Sequence, residues 1–244
     1  RPNILYNKMM HPLIPFACRG IVWYQGEANT KSMESMMQYG QTLPMWVERY
    51  RREWANEKLH FIPVMLPGFG RNFTKGSSLD AADAQTWAWM RDSQLKVLDL
   101  KNTAVANTID LGDAKNIHPK DKAPIGERLA LLARRDVLGE DILAEGPSFG
   151  TMKISGSSVK LTLKHAKGLK TLDGAAPKAF WICGADKKWF EAEAKIEGEA
   201  ISLSHASVKK PTQVRYAFAA MPQVNLVNAA KLPARPFRTD SFQP

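Results

Sequence analysis

Two polar clusters in this sequence combine residue types that can do chemistry, and each follows a predicted strand. The first is Gln25-Gly26-Glu27-Ala28-Asn29, after the apolar residues 21–24. The second occupies residues 110–118, combines two aspartates with a histidine, and follows residues 103–109, which predict another strand. Such runs are typical of strands in a parallel sheet, where ligand sites lie beyond the carboxyl ends of the strands. We therefore expect both clusters to lie at one edge of a parallel sheet.

The second cluster supplies two of the three groups of a nucleophilic triad. In such a site an imidazole takes a proton from a serine hydroxyl, and a carboxylate fixes the imidazole tautomer and stabilises the imidazolium. His118 is the candidate base, and Asp110 and Asp113 lie in the same loop. A loop histidine beside aspartates is also common as a plain surface turn. The second polar cluster, at the end of another strand, favours an active site.

Composition limits the remaining function classes. The 244 residues are 44% hydrophobic and 24% charged, which is ordinary for a globular protein with a substantial core. The formal charge of +10 is spread along the chain without a dense basic run, which argues against nucleic-acid binding but could help attract an anionic sugar. Cys18 and Cys183 predict two buried thiols and no disulfide framework. No apolar run reaches the roughly 18 residues that span a membrane.

The pattern of the chain changes near residue 146. Before that point, strand and helix patterns alternate, which predicts an α/β domain over residues 1–146. After it, short alternating runs between Gly, Pro and Asp turns predict an antiparallel β module over residues 147–244. The predicted strands of the first domain lie at 18–24, 61–66 and 103–109, and the predicted helices at 32–54, 80–98 and 124–138. We expect Pro44 to interrupt the first of these helices, with Thr42 capping a second helix that begins there. We expect Asp80 to cap the helix at 80–98. Residues 195–203 predict a hairpin.

The sequence resembles the sialate O-acetylesterase family, a branch of the SGNH (GDSL-like) hydrolases. The resemblance rests on WYQGEAN at residues 23–29, on IDLGD followed by IHP within residues 109–119, and on PIGERLALLAR at residues 124–134. It continues in VRYAFA at residues 214–219 and NLVNAAKLPARPFRTD at residues 225–240. These motifs occur in the order of the family and span nearly the whole chain.

This resemblance implies a three-layer SGNH-type α/β hydrolase domain, whose parallel sheet is incomplete in this chain, followed by an antiparallel β-sandwich-type module. It implies removal of O-acetyl groups from sugars, notably sialic acids. His118 matches the family's base, Gly26 its backbone oxyanion donor, and Gln25 or Asn29 the polar side chain beside that donor. One such donor lowers the barrier by about 3 kcal/mol. The role of Glu27 is left open: its carboxylate could orient His118, orient a donor amide, or bind sugar hydroxyls.

This chain departs from the family first in the position of the carboxylate that would orient His118. Related SGNH enzymes have an aspartate three residues before the histidine, where this chain has Lys115. The nearest upstream carboxylates are Asp113 and Asp110. We predict that Asp113 orients His118, with Glu27 and Asp110 as the alternatives.

The second departure from the family is the absence of the motif that carries the nucleophilic serine. In the family, a serine in a GQSN-type block precedes all of these motifs, and this sequence contains no such block. Ser77 and Ser78 lie in a loop that lacks the strand-to-helix setting of an exposed nucleophile. Because the serine block is missing, we expect residues 1–244 to be the C-terminal part of a longer esterase whose preceding sequence supplies the serine. We expect this chain alone to be inactive toward acetyl esters; robust hydrolysis abolished by Ser77→Ala or Ser78→Ala would overturn that expectation.

Two other functions fit the same residues. The substrate could be acetylated xylan or another polysaccharide, because acetate is the only part that the triad must recognise. The chain could instead be a catalytically inactive carbohydrate-binding protein. No spacing of His, Cys or carboxylates predicts a metal site, and we expect no cofactor, no nucleic-acid partner and no membrane span. The resemblance implies an exported protein, whether periplasmic, secreted or lysosomal.

Overall fold

The computed structural model describes residues 3–14 and 16–244, so Arg1, Pro2 and Pro15 of the predicted first domain lie outside the described residues. The main elements of the first part are β1 (Gly20–Trp23), α1 (Met33–Glu53), β2 (His60–Pro63), α2 (Ala88–Leu95) and α3 (Ala123–Asp136). Short helical turns occupy Tyr6–Met10, His11–Leu13, Glu27–Asn29 and Lys96–Asp99. Across the described ranges, no helix is long and apolar enough to cross a membrane.

The strands of the first part run parallel. β1 pairs with β2 in a register that runs from Gly20 opposite His60 to Trp23 opposite Pro63. On the other side of β2, parallel bridges join Phe61 to Thr103 and Val64 to Ala106. The predicted third strand is thus present as bridges and not as a continuous ladder. The predicted parallel α/β arrangement is confirmed, and the carboxyl ends of these segments meet at one edge.

Successive residues of β2 face opposite layers of helix, as the period of two in a strand requires. Phe61 packs against Trp46 and Tyr50 of α1, with ring centroids 5.2 and 6.5 Å apart. Ile62 instead packs in a cluster with Ile125 of α3. Helices therefore lie on both faces of β2. The more specific SGNH arrangement stays a prediction.

The first strand is less buried than its sequence predicts. The apolar run at residues 21–24 predicts a strand buried on both faces, yet Val22 is 53% exposed. β1 is hydrogen-bonded to β2 alone among the strands of the described residues. The expectation of a fully buried strand is wrong for the face that carries Val22, because no described element covers it.

Helix α1 continues through Pro44, so the predicted interruption and the second helix capped by Thr42 are wrong. An interior proline costs a helix about 3 kcal/mol, which tertiary packing must offset. α1 buries Leu43 and Val47 on its apolar face. Gly40, four residues before the proline, lets α1 approach α2 so closely that a Cβ there would lie 3.3 Å from Ser93 Cα.

Helix α2 is shorter than predicted, and Asp80 does not cap it. The helix begins at Ala88, while the Asp80 carboxylate accepts a hydrogen bond from the Ser78 hydroxyl. Residues 81–87 form turns instead, because their backbone bonds to the preceding loop. Phe73 N–H donates to the Gln85 carbonyl oxygen at 2.8 Å.

The second part of the chain is antiparallel, as predicted. Its strands are β3 (Ser148–Ser155), β4 (Ser158–Lys164), β5 (Lys170–Thr171), β6 (Phe180–Cys183), β7 (Trp189–Glu191), β8 (Glu193–Glu197), β9 (Ala200–Ser204), β10 (Gln213–Tyr216), β11 (Leu226–Val227) and β12 (Phe237–Arg238). They form sheets in the orders β3-β4-β9-β8, β12-β10-β6-β7 and β11-β5. The predicted hairpin is β8–β9, with Gly198 at a φ of 65° in its turn. The β-sandwich assignment and the domain boundary at residue 146 stay predictions.

A buried ion-pair network joins the two parts. Arg215 of β10 donates to both oxygens of Asp240 at 2.8 and 2.9 Å, and also to the Ala82 carbonyl oxygen. Arg238 of β12 donates to Asp240 at 3.1 Å and to Asp92 of α2 at 3.0 Å. The Arg215 and Asp240 side chains are 3% and 0% exposed. The buried Arg215–Asp240 pair therefore supports Arg238, whose partly exposed ion pair with Asp92 joins the β module to α2.

Removing Asp240 tests this network. Asp240→Ala leaves the Arg215 charge buried without its carboxylate, so we expect the free energy of unfolding to fall by about 3–5 kcal/mol. As a control, Glu197→Ala removes an exposed ion pair with Lys160 and should cost less than about 1 kcal/mol. Urea unfolding followed by tryptophan fluorescence measures both. Equal, small losses in the two variants would contradict the proposed role of the network.

Candidate active site

The polar cluster after β1 is ordered by a chain of side-chain hydrogen bonds. Trp23 Nε1 donates to the Tyr39 hydroxyl at 3.1 Å, and that hydroxyl lies 3.1 Å from Gln25 Oε1 and 3.2 Å from the Gln25 carbonyl oxygen. Gln25 Nε2 in turn donates to Asn29 Oδ1 at 2.9 Å. Burial raises the pKa of Tyr39, so its hydroxyl keeps the proton that it donates to Gln25. The Gln25 amide therefore serves to hold Asn29.

Two donors of this cluster are unused. The N–H of buried Gly26 donates to no acceptor among residues 3–14 and 16–244. The Nδ2 group of Asn29 likewise has no partner in that part of the chain, since Gln25 occupies only Oδ1. Buried N–H groups without a partner are rare in folded proteins. A pocket of about 200 Å³ opens beside the Gln25 and Asn29 side chains and is walled by Trp23, Tyr39 and other residues of α1.

The loop that carries His118 is positioned by close backbone contact with the segment after β2. Phe69 and Asp113 form a parallel bridge, and the Gly70 N–H donates to the Ala114 carbonyl oxygen at 3.2 Å. A Cβ at Gly112 would lie 2.1 Å from the Gly68 carbonyl oxygen, so only glycine fits there without moving the backbone. Residues 112–118 thus take their position from the carboxyl end of β2.

The candidate carboxylates differ in what occupies them. Oδ1 of Asp113 accepts the N–H groups of Lys115 and Asn116 at 2.7 and 3.1 Å, and these two bonds lower the pKa of Asp113. Its Oδ2 accepts no hydrogen bond within the described ranges. Both oxygens of Asp110 are instead taken by the Arg128 guanidinium, each at 2.7 Å. Asp113 is therefore freer than Asp110 to accept an imidazole N–H.

His118 lies exposed at the end of this loop. Its backbone N–H donates to Asn116 Oδ1 at 2.9 Å, which closes a local turn. Neither ring nitrogen is hydrogen-bonded to another described residue, and neither are the carboxylate oxygens of Glu27. The orientation of His118 by Asp113 and the role of Glu27 stay predictions.

A direct contact brings the two clusters to the same edge of the sheet. Tyr24, which follows β1, lies against Lys122, which follows His118 by four residues. Lys122 Nζ is 3.2 Å from the Tyr24 hydroxyl and 4.9 Å from the centre of its ring. The residues that flank the two clusters are therefore in contact at this edge, although they are almost 100 residues apart in sequence.

Ser77 and Ser78 take part in local loop bonds. The Ser77 hydroxyl donates to the Thr74 carbonyl oxygen at 3.0 Å and accepts from Asn72 at 2.6 Å. The Ser78 hydroxyl donates to Asp80. Neither serine is bonded to a histidine in the described part of the chain, so these contacts offer no activated nucleophile.

Two buried polar residues of α2 also support this edge, and sequence reasoning missed them. Arg91 is 1% exposed and donates to the carbonyl oxygens of Pro67, after β2, and Ala219, in the β module. Burial lowers the pKa of Arg91 to about 9, which leaves the guanidinium charged at neutral pH. Gln94 is fully buried and bonds to the ends of both β1 and β2. Their spacing of three residues, which puts both on one side of the helix, is the signal that the sequence contains.

The polar groups at this edge that have no partner among the described residues include the types that acyl transfer uses. Within residues 3–14 and 16–244, no group of three or more His, Cys, Asp or Glu side chains is arranged to hold a metal ion. The unused groups at this edge are the His118 ring, carboxylate oxygens of Asp113 and Glu27, and the amide donors of Gly26 and Asn29. This is the donor set of acyl transfer, in which a base and an oxyanion site act on a carbonyl.

Comparison with known sequences shows that this chain matches a family of carbohydrate esterases. The model of the family described as "Carbohydrate esterase, sialic acid-specific acetylesterase" matches residues 2–134. Sialate O-acetylesterases from Pongo abelii and Homo sapiens are each 29% identical to this chain, over 255 and 258 residues, which is 96% of this chain and 48% of each relative. The chain thus spans about half the length of these curated relatives.

A solved structure shows the same fold. The crystal structure of a carbohydrate acetylesterase from Xanthomonas citri superimposes with a TM-score of 0.89 at 34% sequence identity. The match covers 98% of this chain and 54% of that one. The α/β class with parallel and antiparallel sheets is therefore shared with a carbohydrate acetylesterase.

The close contact at Gly112 gives a test of how the His118 loop is held. Gly112→Ala drives a Cβ into the Gly68 backbone, and we expect this overpacking to lower the free energy of unfolding by about 1–3 kcal/mol. Gly126→Ala in α3 is the matched control: no atom lies within 4 Å of its Cβ position, and alanine should stabilise the helix by up to about 1 kcal/mol. Thermal denaturation measures both, and an unchanged midpoint in Gly112→Ala would refute the contact.

Proposed function

Because the chain belongs to the sialic acid-specific acetylesterase family of carbohydrate esterases, we propose that it supplies the base and the oxyanion site of a serine carbohydrate O-acetylesterase. The unused N–H of buried Gly26 carries this proposal. A fixed donor without a partner stabilises charge that appears only in the transition state, and it needs no reorganisation when the reaction occurs. Asn29 Nδ2 adds a second donor at the same edge.

The proposed reaction is acyl transfer in two steps. A serine Oγ attacks the acetyl carbonyl carbon while His118 takes the serine proton, and the carbonyl oxygen becomes an oxyanion held by Gly26 and Asn29. The oxyanion then collapses, the bond to the sugar oxygen breaks, and His118 returns the proton to that oxygen. Water, deprotonated by His118, attacks the acetyl carbonyl carbon of the acetyl-serine. The bond to serine Oγ then breaks, His118 returns the proton to that oxygen, and acetate is released.

Asp113 is our choice for the group that orients His118. Its Oδ2 is unoccupied within the described residues, whereas Arg128 occupies both oxygens of Asp110. Glu27, whose carboxylate accepts no bond from a described residue, remains for sugar hydroxyls. Gln25 holds Asn29 through its amide, so we assign the donor role to Asn29 and a supporting role to Gln25.

The serine is proposed to come from sequence outside residues 1–244. Ser77 and Ser78 are occupied by loop contacts. β1 is hydrogen-bonded to β2 alone among the described strands, so its other edge is free in that part of the sheet. The unpaired backbone groups of such an edge favour pairing with a further strand. A neighbouring strand on that edge would end beside Gly26, where the nucleophile is needed.

Sialic acid is the proposed sugar, because it is anionic and this chain is basic. The formal charge is +10, and Lys115 and Lys120 lie close enough to Asp113 to lower its pKa electrostatically. Lysines beside the base would attract a carboxylate-bearing sugar more than neutral xylan. An exported location completes the proposal and rests on the family alone.

Replacing His118 tests the mechanism. In the full-length protein, His118→Ala should lower kcat for an aryl acetate by at least about 100-fold, because no base then takes the serine proton. His205→Ala, in a turn of the β module, is the control and should keep kcat within about twofold. Near-normal turnover by folded His118→Ala would remove His118 from the mechanism, and an inactive wild type would favour a binding protein.

Ionic strength tests the choice of sugar. With O-acetylated sialic acid, kcat/KM should fall several-fold between low and high salt, since salt screens the attraction of an anion to Lys115 and Lys120. A neutral acetyl-xylan oligosaccharide should show no such fall. Replacing both lysines by Gln should reproduce the loss at low salt, whereas replacing Lys153 and Lys195 on the outer β module, with the same change in charge, should not. Faster hydrolysis of acetyl-xylan would contradict the assignment.

A further inference from the structure

We propose that Gln94 of α2 is a positioning residue that aims the N–H of Gly26 at the reacting carbonyl, an inference that rests on the proposed function. Gln94 is fully buried, and both ends of its amide are used. Nε2 donates to the carbonyl oxygens of Gln25 at 3.4 Å and Val64 at 3.2 Å, and Oε1 accepts the Leu66 N–H at 2.8 Å. These partners are backbone atoms at the carboxyl ends of the two strands.

The effect on Gly26 follows from the geometry of one peptide unit. The carbonyl of Gln25 and the N–H of Gly26 belong to the same planar, trans peptide, so they point in opposite directions. Gln94, with help from the Tyr39 hydroxyl, holds the carbonyl oxygen inward. The N–H of Gly26 must then point away from α2. A hydrogen bond accepted by the carbonyl also polarises the N–H of that peptide, which strengthens it as a donor.

Packing around Gly26 supports the same role. A Cβ at Gly26 would lie 3.2 Å from Gln94 Nε2 and 2.9 Å from Met90 Cε. The glycine therefore lets the backbone approach the Gln94 amide closely. Because Gln94 also bonds to Val64 and Leu66 of the neighbouring chain segment, it ties the oxyanion donor to the end of β2, from which the His118 loop takes its position.

An effect of Gln94 on catalysis can be separated from an effect on the stability of the fold. Gln94→Met keeps the volume of the side chain but donates no hydrogen bond to the Gln25 carbonyl oxygen. The peptide unit between Gln25 and Gly26 is then free to rotate. We expect kcat for an aryl acetate to fall by about tenfold or more, with KM little changed, since the donor acts in the transition state. Ser93→Ala is the matched control: Ser93 is buried on the same helix, and its hydroxyl has no hydrogen-bond partner among the described residues. Its kcat should stay at the wild-type value.

Gln94→Glu provides a signature that a structural role does not produce. In this variant, the protonated carboxyl group would still donate one hydrogen bond to the Gln25 or Val64 carbonyl, whereas the ionised carboxylate would repel both. Burial raises the pKa of a carboxyl group, so this ionisation falls in the range where activity is measured. The ratio of variant to wild-type kcat should therefore decrease as pH rises, with the titration of His118 cancelling in the ratio.

The experiment measures kcat, KM and this ratio in the full-length protein, well below the unfolding temperature of each variant. A fall in kcat for Gln94→Met but not for Ser93→Ala, together with a pH-dependent ratio for Gln94→Glu, supports the proposal. Wild-type kcat in folded Gln94→Met, or a flat ratio for Gln94→Glu, overturns it. If Gln94→Met does not fold, the ratio alone decides. An inactive wild type would instead refute the proposed function, and this inference with it.

Discussion

The parallel hydrogen bonding of β1 with β2 is the interaction on which the candidate site depends. The Val64 N–H donates to the Trp23 carbonyl oxygen at 2.9 Å, and this contact aligns the last residues of the two strands. The alignment brings the Gln25 carbonyl within reach of the same Gln94 amide that bonds to Val64. It also lets the segment after β2 bridge to Asp113, so that the Gln25–Asn29 cluster and the His118 loop share one edge. Without this register, neither cluster would have a fixed position relative to the other.

Two polar side chains, Gln94 and Arg91, are buried behind this edge and hydrogen-bond to its backbone. Their burial costs desolvation free energy that apolar side chains would not cost. A buried amide or guanidinium must find hydrogen bonds within the fold, and Gln94 and Arg91 do so on backbone carbonyl oxygens. Arg91 joins the end of β2 to Ala219 of the β module, and two arginines of that module reach back to the first part, Arg215 to the Ala82 carbonyl oxygen and Arg238 to Asp92. The β module therefore braces the edge that carries the candidate site, and changes far from His118 can reach it through α2.

The sequence predicted the features that follow from local periodicity and from strand-end chemistry. It predicted the parallel arrangement, helix α3, the β8–β9 hairpin and the two polar clusters at one edge. It failed where tertiary contacts decide the outcome. Packing against α2 carries α1 through Pro44, and backbone bonding of Gln85 to Phe73 prevents the helix expected from Asp80. Val22 is exposed because burial depends on neighbouring elements that a strand's own sequence does not specify. Gln94 escaped prediction since a buried amide is recognisable only from its partners.

Labelling of the nucleophile tests the central claim, that this chain supplies the base and the oxyanion site but not the attacking serine. The full-length protein would be treated with a serine-directed fluorophosphonate, digested, and mapped by mass spectrometry. The account predicts one labelled serine outside residues 1–244, with labelling slowed in His118→Ala because the hydroxyl then lacks its base. A label on Ser77, Ser78 or any other serine within these 244 residues would contradict it.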